Sequence, residues 1–574
     1  MLKHAFFVVA AFFTLAACGK EGGAGNPQPE TTEVLLTLMQ ATETTVTLAA
    51  ELRHADVAYC TIGAANSTVP TLKELLKGRE LTASGTVTFE GLEAGTLYKV
   101  YSVAALQGVY AGIGQTTVKT AGDPVENYPE TIAAWCTTAD KASLFRSFEP
   151  AKASAAASTA KELTVDLKTR YQTMEGFGPA ITGSAAYNLL KMPAADRDRI
   201  LRAAFDPEEG MGYNYVRISI GCSDFSLDEY TCCDREGIEF FELHEYDKRD
   251  LFPVLREILA INPEVKIIAA PWTCPRWMKM PVSGTGSYDK WNGGRVNPDY
   301  YADYAEYFVL WIQAMEENGF PIEAITPQNE PLNEGNSAST YMSSDQQREF
   351  VKRYLGPAFR ENGIQTKIWA YDHNFDVPDY VTSLFADAEA AQYFDGSAWH
   401  AYGGSYTALA QVHAAAPDKH IYFTEQSIGT WCPNFGDNLL WHIEQVCLGT
   451  INNYCRAVIL WNFMLDAQRG PNRPGGCTTC YGFVDCDGSY SYASLNYRSH
   501  WYAIGHLSKV IRRGAFRVRA TGGAVCSAFE NPDGSCSLVL LNNSTAAQQV
   551  VVRSEKGDFL LDVPARSVIS AIWK

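Results

Sequence analysis

Residues 326–331 read Thr326-Pro-Gln-Asn-Glu330-Pro331, directly after the apolar pair Ala324-Ile325. A short hydrophobic run that hands one acid to a proline-punctuated turn places that acid at the end of a buried strand. The pattern recurs at Ile421-Tyr-Phe-Thr-Glu425-Gln426. Working outward from these two, further strand candidates fall at 175–180, 215–221, 266–271, 367–371, 396–400 and 457–461, with the original pair at 324–328 and 420–424. Amphipathic stretches such as 302–317 and 345–361 lie between them. Eight strand–helix units over roughly 340 residues predict a (β/α)8 barrel with long loops. A doubly wound sheet is the competitor, but no glycine-rich phosphate loop follows any strand.

Outside this body the pattern changes. Residues 34–120 carry short β-branched runs separated by turn residues, which predicts a small antiparallel β-sandwich. Its stretch Gly91-Leu-Glu-Ala-Gly-Thr-Leu-Tyr98 resembles the fibronectin type III signature, with Tyr98 placed as a tyrosine corner. Residues 121–170 read as a linker plus strand material, 171–508 as the barrel, and 509–574 as a second β-sandwich that the linker strands join. The fold class expected is therefore α/β, a barrel with β-sandwich domains at both ends.

The first segment is an address. Lys3 precedes a 13-residue run, Ala5 to Ala17, that is apolar except for Thr14 and too short to span a bilayer. It ends Leu15-Ala-Ala-Cys18, which resembles a bacterial lipobox. That resemblance implies a signal peptide at 1–17, lipidation of Cys18, and a Gly-, Pro- and Glu-rich tether at 18–33. The expected location is the bacterial outer membrane, on its periplasmic face or at the cell surface, held by the anchor alone.

Composition narrows the partners. Lys and Arg total 47 against 65 Asp and Glu, a net charge of −18, which disfavours nucleic acid and unaided binding to anionic lipid. Aromatics reach 12% of the 574 residues, which fits either large cores or a neutral, partly apolar ligand such as a sugar. Of the 15 cysteines, Cys477 and Cys480 have a CxxC spacing. A zinc site there needs further ligands, of which Cys486 is the one in view; a disulfide or free thiols are the alternative. No cofactor or metal is called for, and a monomer is expected.

In a barrel, chemistry sits at the C-terminal ends of strands. Two glutamates on the fourth and seventh strands form a pair suited to glycosidic bonds, one giving a proton to the leaving oxygen and the other attacking the anomeric carbon. The strings EGFGPAITGSAA (Glu175 to Ala186), VRISIGCSDFSLDEYT (Val216 to Thr231), APWTCPRWMK (Ala270 to Lys279), TPQNEP, FTEQ, WNFMLDAQRGPN (Trp461 to Asn472) and YAIGHLSKVIRRGA (Tyr502 to Ala515) together resemble glycoside hydrolase family 30 over roughly 130–574.

The resemblance implies Glu330 as acid/base, Glu425 as nucleophile and Asn329 as a donor to the sugar 2-hydroxyl. Arg217 pairs with the nucleophile, Asp224 and Trp272 contact sugar hydroxyls, and His400, Tyr402 and Trp461 complete the substrate site. Asp372 and His373 read equally as subsite or structural residues. Glu330 is expected to be protonated near neutral pH and Glu425 ionised. AYDHN, AWHAYGG and GGCTTCYGFV look most like the β-1,6-glucanase branch, which makes a β-linked glucan or glucoside the implied substrate. A glucosylceramidase-type enzyme, then a β-xylosidase, are the alternatives, and a glycan-binding lipoprotein is the non-enzyme reading. Pro179, Cys274 and the Cys232-Cys233 pair depart from the family pattern near the subsite walls.

Overall fold

The computed structural model describes residues 31–65, 67–122 and 127–574. The signal segment 1–17, Cys18 and most of the tether lie outside the described residues. Two compact units divide the chain near residue 125.

The first unit has two antiparallel sheets. Thr45–Arg53 runs between Glu33–Ala41 and Gly85–Glu90 in one, and Val57–Ala64 and Leu97–Leu106 centre the other. Residues alternate in and out along Thr45–Arg53, so Val46 and Leu48 meet Cys60, Val87, Phe89, Val100 and Val118 in one core. The Tyr98 hydroxyl accepts the Glu93 backbone N–H at 2.9 Å, which pins the turn five residues upstream.

The second unit is built on eight parallel strands: β1 Gly176–Pro179, β2 Tyr215–Ile220, β3 Lys266–Pro271, β4 Ile322–Ile325, β5 Lys367–Asn374, β6 Phe394–His400, β7 His420–Glu425 and β8 Cys455–Leu460. Their order is β1-β8-β7-β6-β5-β4-β3-β2, and a parallel bridge from Ala180 to Arg217 closes the ring between β1 and β2. Every residue of β2 is buried, as expected of a strand covered on both faces. Closure depends on Gly178, where a Cβ would lie 1.8 Å from the Tyr215 carbonyl oxygen.

Inside the barrel, the large rings of Tyr215, Trp369 and Tyr422 are matched by Ala324, Ala398 and Ala457. Trp369 and Tyr422 stack with centroids 3.6 Å apart. This packed layer is the floor beneath the strand ends. Outside, the helix Tyr301–Glu317 turns Tyr304, Phe308, Trp311, Ile312 and Met315 inward at helical spacing.

The strand boundaries differ from expectation by more than two residues in two places. β4 stops at Ile325, because Pro327 has no N–H to continue a ladder. β5 runs on through Asp372, His373 and Asn374.

A ten-stranded, mostly antiparallel sheet packs as the side domain. It draws strands from both ends of the unit: Ile132–Thr138 pairs with Ser567–Trp573, and Lys161–Thr173 lies between Phe516–Gly522 and Gln548–Arg553. Among the described residues no helix is long and apolar enough to cross a membrane.

Candidate active site

A cavity of about 480 Å³ opens at the C-terminal ends of the barrel strands. Glu330 and Glu425 face each other across it, each almost fully buried. Their nearest carboxylate oxygens, together with a His400 ring nitrogen, fall within 4.8 Å of one another. A gap this narrow suits direct attack by one carboxylate and leaves too little room for the water an inverting pair requires.

Glu425 ends β7 and is held on both oxygens. Arg217 Nη1, from the middle of β2, donates to Oε2 at 2.6 Å, and the Tyr402 hydroxyl donates to Oε1 at 3.0 Å. Arg217 also donates to Asn329 Oδ1 at 2.7 Å and to Asp372 Oδ2 at 2.9 Å. Its guanidinium lies 4.9 Å from the Trp272 ring centroid and 5.6 Å from that of Trp461. One buried cation thus fixes Glu425, the asparagine and both indoles. The Asn329 Nδ2 group is buried and has no protein partner. An orphan donor of this kind is a place for a ligand oxygen.

Glu330 sits at φ 45°, a left-handed conformation that non-glycine residues adopt at a cost of roughly 1–3 kcal/mol. Its neighbours Tyr371 and Asp372 on β5 are left-handed too, and the Glu330 N–H donates to the Asp372 carbonyl at 3.0 Å. The strain turns the acid into the cavity, where Asn333 and Asn336 donate to Oε2 at 2.8 and 3.1 Å. His400 Nδ1 lies 3.3 Å from Oε1, and its Nε2 lies 3.0 Å from Asp372 Oδ1. With both ring nitrogens committed to carboxylates, the Glu330–His400–Glu425 trio is an ion-pair network and offers no imidazole lone pair to a metal.

The electrostatics of the site reverse the expected order of the two glutamates. Burial alone would lower the His400 pKa, but the charges of Glu425 and Asp372 and the hydrogen bonds to Asp372 and Glu330 raise it to about 9. Burial would likewise raise Glu330, yet the hydrogen bond and charge of His400 hold it below the usual glutamate value. Glu425 is pushed up, by burial and by the charge of Glu330, against the pull of His400 and Arg217. Asp372 remains ionised: burial opposes it, but Arg217 and His400 hold it far below the carboxylate range. Burial and the two glutamate charges push Asp224 up to about 8.

All the residues expected at the site are brought together. Asp224, Trp272, Tyr402 and Trp461 line the cavity with the two glutamates, while Arg217, Asn329 and His400 lie just beneath. The open reading of Asp372 and His373 resolves differently for each. Asp372 is fully buried under Arg217, where Thr326 and Thr424 also donate to it, whereas His373 lines the cavity.

Sequence reasoning missed Leu332, Asn333, Asn336, Asn374, Ser427 and Trp431 in the wall. Only the polar richness of Leu332-Asn-Glu-Gly-Asn336 directly after Glu330 could have flagged the two asparagines. Cys477 and Cys480 are disulfide-bonded to each other, which overturns the zinc alternative; Cys486 is a separate buried thiol.

The Glycosyl hydrolase family 30 TIM-barrel domain matches residues 174–511, and the Glycosyl hydrolase family 30 beta sandwich domain matches 514–571. Endo-1,6-beta-D-glucanase neg1 of Aspergillus fumigatus is 31% identical over 71% of this chain and 86% of its own length. The mouse (Mus musculus) lysosomal acid glucosylceramidase is 26% identical over 72% of this chain and 83% of its own. Among solved structures, the endo-beta1,6-glucanase BT3312 superposes with a TM-score of 0.73 at 48% identity, over 77% of this chain and 99% of that one.

Proposed function

The chain belongs to glycoside hydrolase family 30, and from that membership and the carboxylate geometry we propose that it hydrolyses β-1,6-linked glucan with retention of configuration. The observation that carries the chemistry is the approach within 4.8 Å of Glu330, in the turn that follows β4, and Glu425, at the end of β7. The substrate rests on likeness to endo-1,6-β-glucanases at 31% and 48% identity.

Glu425 attacks C1 while Glu330 protonates the departing oxygen, and a covalent glycosyl-enzyme forms. Water then attacks C1 with Glu330 as base, the Glu425 ester bond breaks, and a β-configured product leaves. In the free site the required proton rests on His400 Nδ1, 3.3 Å from Glu330 Oε1. Sugar binding covers the part of Glu330 that is still exposed and completes the desolvation of this ion pair. Desolvation favours the neutral forms, so the proton crosses to Glu330 while His400 keeps its Nε2 proton on Asp372. Asn329 Nδ2 donates to the 2-hydroxyl, and Arg217 keeps the nucleophile oriented.

The test is a product screen on β-1,6-glucan, glucosylceramide and xylan, with the anomer followed by proton NMR. Oligosaccharides released from β-1,6-glucan as the β anomer support this reading. An α product would sink the mechanism, and turnover of glucosylceramide alone would shift the substrate to the lipid-linked class.

The lipobox-like string ending at Cys18 further supports export and lipid anchoring at the outer membrane. Labelling with a radioactive fatty acid, lost in Cys18→Ser, tests that part.

A further inference from the structure

The enclosed end of the cavity has room and partners for the sugar being cut. Trp272 and Trp461 there are only 1% and 2% exposed. Trp431 lines the same cavity but is 55% exposed. It is absent from the chemistry above, and an indole face that lines the cavity while staying open to water is available to a ligand.

The chain invests structure in holding this ring. Trp431 lies in a turn closed by the Cys432 N–H donating to the Gly429 carbonyl at 3.1 Å. A Cβ on Gly429 would stand 2.1 Å from indole Cζ3, so the ring rests directly on the glycine backbone. Ile428–Gly429 forms a two-residue ladder with Cys480–Tyr481, and Thr430 N–H donates to the Thr479 carbonyl at 2.8 Å. That partner strand is the end of the loop closed by the Cys477–Cys480 disulfide. The loop is tied down in turn by Arg469 Nε on the Thr478 carbonyl at 2.6 Å and Asn472 Nδ2 on the Cys477 carbonyl at 3.0 Å. Both disulfide cysteines also line the cavity. The nucleophile is six residues before Trp431, so one segment carries both the reacting carboxylate and the exposed ring.

We propose that Trp431 is the stacking platform for a second sugar ring of the glucan, and that the Cys477–Cys480 loop is the clamp that positions it. The inference rests on the β-1,6-glucan reading above. A 1,6-linkage has an extra exocyclic bond, so the sugar next to the cleaved one is conformationally loose. An indole face against its C–H face fixes that sugar without demanding particular hydroxyls. Trp431 is therefore a binding residue for oligomers and contributes much less to a single glucoside.

The experiment compares kcat/KM for a β-1,6-linked glucotetraose with that for 4-nitrophenyl β-glucoside. In Trp431→Ala the tetraose-to-glucoside ratio should fall at least about tenfold, mainly through KM, and Trp431→Phe should recover most of it. Cys477→Ser with Cys480→Ser, or wild type treated with dithiothreitol should the variant misfold, should lower the same ratio. Equal losses on both substrates, or an unchanged ratio in Trp431→Ala, overturn the platform. An unchanged ratio after loss of the disulfide overturns the clamp. A wild type inert on every β-1,6-linked oligomer overturns the proposed function and the inference with it, whereas an active wild type with an unchanged ratio overturns the inference alone.

Discussion

At the residue scale, the site is organised by charges buried beneath the cavity. Asp372 anchors Arg217 on one oxygen and His400 on the other, and through them it reaches both glutamates. Glu425→Gln should cut turnover by about ten-thousandfold while thermal unfolding stays near wild type, because the amide keeps its place but cannot attack C1. The pH profile of kcat/KM should be a bell with assignable limbs. As pH rises through about 9, His400 loses the proton that Glu330 must receive, and activity falls. As pH drops, Glu425 protonates earlier than an exposed glutamate would, since burial has raised it. Asp372→Asn removes a carboxylate that holds the imidazolium, so the alkaline limb should move to lower pH; a limb that stays in place would exclude His400 as its source.

At the element scale, the seam between β1 and β2 is the narrowest tolerance in the barrel. Gly178→Ala puts a methyl group into the Tyr215 carbonyl, 1.8 Å away, and should destabilise the second unit by about 3 kcal/mol or more in urea denaturation. A second buried feature supports the loops of β3 and β4. Lys279 is 3% exposed, and its three ammonium N–H groups are shared among the carbonyls of Lys290, Trp291, Gly293 and Ser339 at 2.8 to 3.1 Å. Lys279→Met should leave those carbonyls short of donors and cost about 2–4 kcal/mol, which the same denaturation curves would read.

These examples also mark what the sequence could reveal. The strands were legible because parallel barrel strands are continuous apolar runs, and the two glutamates because Glu425 ends such a run and Glu330 closes the short turn that follows another. Trp431 was not, because its position is set by a two-residue ladder between segments some fifty residues apart. The early end of β4 was readable in principle from Pro327. The proton order of Glu330 and Glu425 was not, since it depends on where His400 arrives from β6.

At the scale of the whole molecule, the two units carry separate cores. A chain starting at residue 127 should keep its kcat/KM on soluble oligosaccharides within about twofold, and should lose one calorimetric transition while keeping the other. The side domain behaves differently, because its sheet is assembled from both ends of the second unit. Strand Ile132–Thr138 finds its neighbour Ser567–Trp573 only after roughly 430 residues of intervening chain. At ordinary synthesis rates that interval is about 20–90 s, during which the first strand has an open edge. The sheet therefore acts as a checkpoint on completeness: a ribosome that stops short of the last strand releases a barrel whose strand Ile132–Thr138 keeps only the short partner Arg146–Phe148 and presents its other edge to proteases.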